Sequence, residues 1–320
     1  MNTSRAIFIL SLAFFSFASN SWAGSYAYIT NQGSDDVSVI DTLDHQVVAT
    51  VAVGKGPVGV AVSDSLRQVF VSNVDSQSIS VIDTVTNEVT HEIPIAGSPV
   101  GIALSPDSKV LYVADWFADK VHVVDTQNMQ TLHVIQVGKA PAGLVASPDG
   151  KRLYVANRDS DDIAIIDTTT YQITKRIRVG AHPFGISLSP DGTQLFAVNV
   201  QDDSVSIIDT RSGQVSDVKV GDHPYCATAS KDGRRLYVTN TQAASVTVID
   251  LKTRKVVNTI AVGEYPEGIN YDAASNRIFV ANWFDDTVSV IDASNNQLIA
   301  SVRTGSKSRA FGQFIIETAH

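Results

Sequence analysis

Chemistry-bearing residues gather in the C-terminal half of the chain. His223, Tyr225 and Cys226 stand within four positions of one another, and Glu267 follows Tyr225 by 42 residues. A thiol beside an imidazole is the arrangement that gives an activated nucleophile, and a carboxylate could serve it as a base. The plainer reading is a buried thiol. His182 precedes His223 by 41 residues at an equivalent position, and two neutral imidazoles can share a metal ion. No Asp/Glu triad accompanies them at metal-ligand spacing, so neither a metal nor a catalytic residue is expected. Arg158, Lys307 and Arg309 together with Glu267 suit either an anionic ligand held by bidentate contacts or a rim whose charges pair internally.

These positions correspond because the chain repeats. A Val/Ile-Asp step ends an alternating apolar run at Asp41, Asp83, Asp125, Asp167, Asp209, Asp250 and Asp292, at intervals of 42 with a single 41. Each copy opens with a run such as Leu153-Tyr154-Val155-Ala156-Asn157, and a second run such as Val37-Ser38-Val39-Ile40 follows a short loop. A third run, typified by Val256 to Val262, leads through a Gly-x-x-Pro-x-Gly turn (Gly54 to Gly59, Gly138 to Gly143, Gly180 to Gly185) into a fourth. The fourth ends in turns such as Ser147-Pro148-Asp149-Gly150, where Pro pre-sets φ and Gly accepts a positive one. Alternation over four to six residues reads as strand, and nowhere does a period of 3.6 persist.

Four-stranded units repeating every 40 to 45 residues predict a β-propeller. The fold class is therefore all-β: seven four-stranded antiparallel blades, closed by one C-terminal strand over about residues 309–318 that joins three N-terminal strands. The recurrent Asp is explained by the blade, since its carboxylate can accept backbone N–H groups in the next turn.

Strand direction sorts the loops onto two faces. The Ser-Pro-Asp-Gly face is monotonous. The face carrying the Gly-x-x-Pro-x-Gly turns departs from the repeat. Before the second Gly of the turn the copies read Val58, Val100, Ala142, Phe184, Tyr225, Glu267 and Arg309; before Pro they read Gly56, Ser98, Ala140, His182, His223, Tyr265 and Lys307. Trp116-Phe117 and Trp283-Phe284 stand in loops where other copies have small or polar residues, and Arg158 occupies the matching place in a third. One-sided departures from a symmetric scaffold mark a binding face. The candidate ligand or partner residues are thus His182, Phe184, His223, Tyr225, Cys226, Tyr265, Glu267, Arg309, Trp116, Phe117, Trp283, Phe284 and Arg158. In the last copy, Ser308 and Ala310 either replace Pro and Gly or a two-residue insertion aligns Phe311-Gly312 instead.

Several classes are excluded. The chain has 320 residues, 44% hydrophobic and 18% charged, with net charge −9 and no basic stripe, which argues against disorder and nucleic acid. A single cysteine rules out an internal disulfide, CxxCH haem attachment and a multi-thiolate zinc site. Gly54 to Gly59 match G-x-G-x-x-G literally but precede a strand, leaving no helix N-terminus for a pyrophosphate. Acidic loops such as Asp159-Ser160-Asp161-Asp162 lack the Gly and Glu of a calcium loop. Arg5, the apolar stretch from Ala6 to Ala18 and the small residues Ser21 and Ala23 form an export signal over residues 1–23, too short to span a membrane. The propeller is expected over residues 24–320.

Tyr-Val-Ala/Thr-Asn at Tyr154 to Asn157 and Tyr237 to Asn240, with Val-Ile-Asp-Thr and Ser-Pro-Asp-Gly, resembles the YVTN family of β-propeller repeats over nearly all of residues 25–318. The resemblance implies an exported or surface protein, and its repeats are similar to propeller subunits of quinoprotein amine dehydrogenases. The leading expectation is a periplasmic or surface-located non-catalytic binding or scaffolding protein, monomeric and without a cofactor, whose partner is a protein or small envelope ligand. The alternatives are an accessory of a periplasmic amine or quinoprotein dehydrogenase, and a lactonase-like or lyase enzyme using His182, His223 and Glu267.

Overall fold

Alternating β-branched and polar residues dictate the local structure. In the second blade, β4 (Pro57–Ser63), β5 (Gln68–Asn73), β6 (Ser78–Asp83) and β7 (Glu88–Pro94) pair in order, all antiparallel. Val69 and Val71 on β5 stand opposite Ile82 and Ser80 on β6, and all four are buried because each blade packs its faces against both neighbours. The computed structural model describes residues 24–317; the export signal expected over residues 1–23 lies outside them.

Seven such sheets surround a central channel. Blade 1 consists of β1 (Ser25–Asn31), β2 (Asp36–Asp41), β3 (Gln46–Ala52) and the C-terminal β29 (Ile315–Glu317), and blades 2 to 7 follow in chain order. Among the described residues the one helical turn is the 3-10 segment Arg158–Ser160. Closure follows the expected scheme of three N-terminal strands and one C-terminal strand, with a difference in detail. The last strand is split: β28 (Phe311–Gln313) lies parallel to β4, and β29 pairs antiparallel with β1. Asn270 causes the break, because its Oδ1 accepts the Phe314 N–H at 2.7 Å while its Nδ2 donates to Gly312 O at 3.0 Å.

The recurrent Asp serves the turn. Asp41, Asp83, Asp125, Asp167 and Asp209 each accept two backbone N–H groups from the residues two and three ahead, at 2.7–3.1 Å. The Asn that ends six of the seven opening strands is buried and donates across the loop, Asp115 taking its place in blade 3; Asn73 and Asn199 each reach two serine hydroxyls.

Candidate functional site

The turn chemistry fixes the loop face. In five turns the residue before Pro is left-handed, at φ 64° in Gly56, 49° in Ala140, 55° in His182, 50° in His223 and 57° in Tyr265, and Lys307 matches at 57°, whereas in the turn before Pro99 the positive φ falls on Gly97 instead of Ser98. Its N–H is taken by an Asp from the preceding blade's loop: Asp35 for Gly56, Asp119 for Ala140, Asp161 for His182, Asp203 for His223 and Asp286 for Lys307, at 2.6–3.0 Å. The acidic loops therefore cap turns. These caps were not foreseen from the sequence, although the spacing of about 21 residues between acid and capped N–H is regular.

The second Gly of the turn is required by a close approach. A Cβ at Gly59, Gly101, Gly143, Gly185 or Gly268 would lie 1.9–2.6 Å from a backbone carbonyl of the next inner segment around the ring. Cys226 and Ala310 are the exceptions. In both, the backbone N–H is held by a threonine hydroxyl, Thr239 at 3.0 Å and Thr30 at 2.8 Å, as Ser72 holds Gly59. This places Ala310 at the Gly position and Ser308 at the Pro position, so the last turn carries no insertion.

The residues before that Gly converge on the axis. Arg309 Nε lies 2.6 Å from Glu267 Oε2, its Nη2 donates to the Tyr225 hydroxyl at 2.6 Å, and its Nη1 donates to Gln32 Oε1 at 3.0 Å. Tyr225 packs on Phe184 with centroids 4.2 Å apart, Phe184 on Phe311 at 4.9 Å and on Trp116 at 5.6 Å. Arg158 lies over the Trp116 ring at 5.7 Å. Phe184, Glu267 and Cys226 are buried. The structure thus brings Trp116, Arg158, Phe184, Tyr225, Glu267 and Arg309 into one cluster at the channel mouth. It adds Gln32, which carried no signal because its loop was read as generic, and Phe311, which the sequence offered only through the alternative alignment of the last turn.

Burial governs the electrostatics here. It pushes the Glu267 carboxyl up, and Arg309 pulls it only part of the way back. Burial and the Glu267 charge likewise raise the Cys226 thiol well above its ordinary value, so it is not the thiolate a nucleophile needs. Tyr225 is raised by the same desolvation.

A second aromatic group stands beside it. Tyr265, Trp283 and Phe284 touch one another with centroids 4.7–5.7 Å apart, and Lys307 Nζ lies 5.1 Å from the Trp283 centroid. Phe284 is 59% exposed, and Phe117, next to Trp116, is 80% exposed. The two histidines keep separate company: His182 Nε2 is 4.0 Å from Asp159, whereas His223 Nδ1 is 2.8 Å from Asp222. Asp203, Asp222 and His223 have ligand atoms within 4.8 Å of one another, but Asp203 is already engaged in capping the turn.

The channel itself holds a cavity of about 700 Å³ that opens among the Ser-Pro-Asp turns, lined there by Asp64, Pro106, Pro148, Pro190 and Lys231, and ends at Cys226 and Phe311. The aromatic rings and the Arg309–Glu267 pair separate it from the loop face.

A family model described as YNCE-like beta-propeller matches residues 61–150 and 202–274, just over half of the chain. A second, described as cytochrome D1 heme domain, matches residues 115–219. At the axis of this chain the mouth is filled by packed rings, and the cavity lining offers a haem no His or Met, only Tyr271, one cation (Lys231) and a thiol held protonated by burial. Among solved structures, a chain of Kuenenia stuttgartiensis hydrazine synthase superposes with TM-score 0.75 at 24% identity, covering 83% of this chain and 91% of that one. A functionally unknown protein from Desulfotomaculum acetoxidans gives 0.75 at 15%, covering 90% and 99%. Dihydro-heme d1 dehydrogenase NirN in complex with DHE gives 0.68 at 18%, covering 87% and 63%. These likenesses concern the fold alone. The PE-PGRS family protein PE_PGRS18 of Mycobacterium tuberculosis is 52% identical over 40 residues, 12% of this chain and only 9% of that protein. The extent of the first match and the seven repeated blades place this chain in the YNCE-like β-propeller family.

Proposed function

We propose that the chain is a non-catalytic binding protein of the cell envelope that holds a protein partner on its loop face. One observation carries the reading: Phe117 and Phe284, 80% and 59% exposed, project from two loops whose counterparts in other blades are small or polar. An exposed Phe backed by Trp is a rigid anchor with little entropy to lose on binding. Arg158 and Lys307 flank the two pairs and add polar contacts at their rim. The chemistry of the site also favours binding over catalysis, because its thiol is held protonated and its buried carboxylate is committed to Arg309. The test is co-purification from the native envelope fraction with wild type beside a Phe117→Ala/Phe284→Ala variant. A partner retained by wild type and lost from the variant supports the reading; a partner retained equally by both removes the loop aromatics from it.

A further inference from the structure

The channel wall is built from strand edges. β8 (Pro99–Leu104), β12 (Pro141–Ala146), β16 (Pro183–Leu188) and β20 (Pro224–Ala229) are each the innermost strand of a blade, with a hydrogen-bonded neighbour on one side alone. Residues along an antiparallel pair alternate between those that exchange hydrogen bonds with the neighbour and those that do not. Ser105, Ser147, Ser189 and Ser230 donate their N–H groups outward to the carbonyls of Val110, Arg152, Gln194 and Arg235 at 2.8–2.9 Å. The residues just before them, Leu104, Ala146, Leu188 and Ala229, therefore turn their N–H and C=O groups the other way, toward the axis. All four line the cavity, so four backbone edges face it with donors and acceptors at strand spacing. On β4 the same edge is already taken: β28, the first half of the split closing strand, runs parallel to it with Gly312 opposite Val60.

Size and charge define the occupant. Along β20 the lining runs from Cys226 at the closed end to Lys231 at the rim, about 16 Å at roughly 3.3 Å per residue, so a volume of about 700 Å³ corresponds to a mean section of about 44 Å². An extended strand with its side chains occupies about 4.8 by 10 Å, or about 48 Å². The channel therefore has room for one strand and not for two. Its wall is apolar or neutral and polar, and its closed end presents the Phe311 ring and a thiol that burial keeps protonated. A charge carried to that end would lose its water without gaining a partner. The charged residues of the lining, Asp64 and Lys231, both stand at the exposed rim. Asp64 would suit an outgoing amine and Lys231 an outgoing carboxylate. The seating of β28 on β4, from Phe311 at the closed end to Gln313 toward the rim, decides for the second. We propose that the channel binds a short N-acylated peptide of small uncharged residues, added as a parallel strand to an inner edge with its acyl end at Phe311 and its carboxylate beside Lys231. The site opens on the face opposite the aromatic loops and does not rest on the reading given for them.

Isothermal titration of the purified mature chain with N-acetyl-trialanine tests it. Saturable binding with a dissociation constant of about 1 mM or lower is expected. Trialanine, which carries an ammonium group at the inner end instead, should bind at least about tenfold more weakly. Lys231→Gln should weaken the acylated peptide about threefold, the effect of one exposed charge. Ala229→Trp narrows the channel at mid-depth and should abolish binding, with a melting curve like that of wild type to show that it folds. Without any variant, saturating N-acetyl-trialanine should slow the reaction of Cys226 with a small maleimide at least about fivefold, since both need the closed end of the cavity. Absence of saturation at about 20 mM, equal affinity for trialanine, binding retained by a folded Ala229→Trp chain, or a Cys226 rate indifferent to the peptide would overturn the proposal.

Discussion

Arg309→Ala is the most informative perturbation of the channel mouth. The substitution removes what is, among the described residues, the only cation within ion-pair distance of Glu267, whose side chain is 4% exposed, and strips a donor from Tyr225. Breaking a buried pair by removing one partner costs roughly 3 to 5 kcal/mol, because the remaining charge stays buried and unpaired. With about 2.1 cal/mol/K of unfolding entropy per residue, a domain of roughly 300 residues has about 0.6 kcal/mol/K, so the melting temperature should fall by about 5 to 8 °C. The loss should depend on pH with a definite sign. Burial already raises the folded-state pKa of Glu267 above its ordinary value, and loss of Arg309 raises it further. The folded variant then binds a proton that the unfolded chain, with an ordinary pKa of about 4.3, has released, so stability falls as pH rises above that value. The gap between wild type and variant is therefore smallest near pH 4.5 and largest near pH 8. Differential scanning calorimetry across that range measures it, and adding Glu267→Gln to the variant should recover at least half of the deficit. A gap that is independent of pH, or below about 2 °C, would refute the reasoning.

Other outcomes follow from the same geometry. Gly185→Ala puts a Cβ 2.4 Å from the Tyr225 carbonyl and 2.9 Å from Cys226 Cα, so it should destabilise by about 2 to 3 kcal/mol, whereas Gly24→Ala, with nothing within 4 Å, should leave the melting temperature unchanged. Cys226 in the native protein should react with a disulfide reagent at pH 8 at least about a hundredfold more slowly than in the denatured chain, since burial disfavours its thiolate; equal rates would contradict its placement. The turn carboxylates Asp107, Asp149, Asp191 and Asp232 are held below their usual pKa chiefly by Ser hydroxyls, and Asp167, Asp209 and Asp250 by turn N–H groups. Depressed folded-state values contribute stability that is present above the unfolded pKa and lost as pH falls, so the contribution of these carboxylates should be complete above about pH 5 and thermal melts should decline below about pH 4.

The fold was legible because a seven-fold repeat states each instruction seven times. A single Val-Ile-Asp step is ambiguous, but the series from Asp41 to Asp292 is not, and the turn role assigned to those carboxylates matches their hydrogen bonds. The departures at Phe184, Tyr225, Glu267 and Arg309 were legible as positions. Their packing was not, because period assigns a residue to a strand and an end, whereas burial at the axis depends on side chains arriving from several other blades. Phe311 shows the difference: it reads as one more strand residue in the alignment the structure adopts, yet it packs on both Phe184 and Tyr225. The alignment of the last turn was beyond sequence for a similar reason. It is settled by the left-handed Lys307 and by the Thr30 hydroxyl on the Ala310 N–H, a contact between opposite ends of the chain.

The loop-face claim is tested most directly by site-specific photo-crosslinking in the native envelope. A photoreactive residue placed at Phe117 or Phe284 is compared with one at Val85, which is 67% exposed in the turn between β6 and β7 on the opposite face. The account predicts that positions 117 and 284 capture the same protein while position 85 does not. Capture of that protein from position 85 alone, or equally from all three, would contradict it.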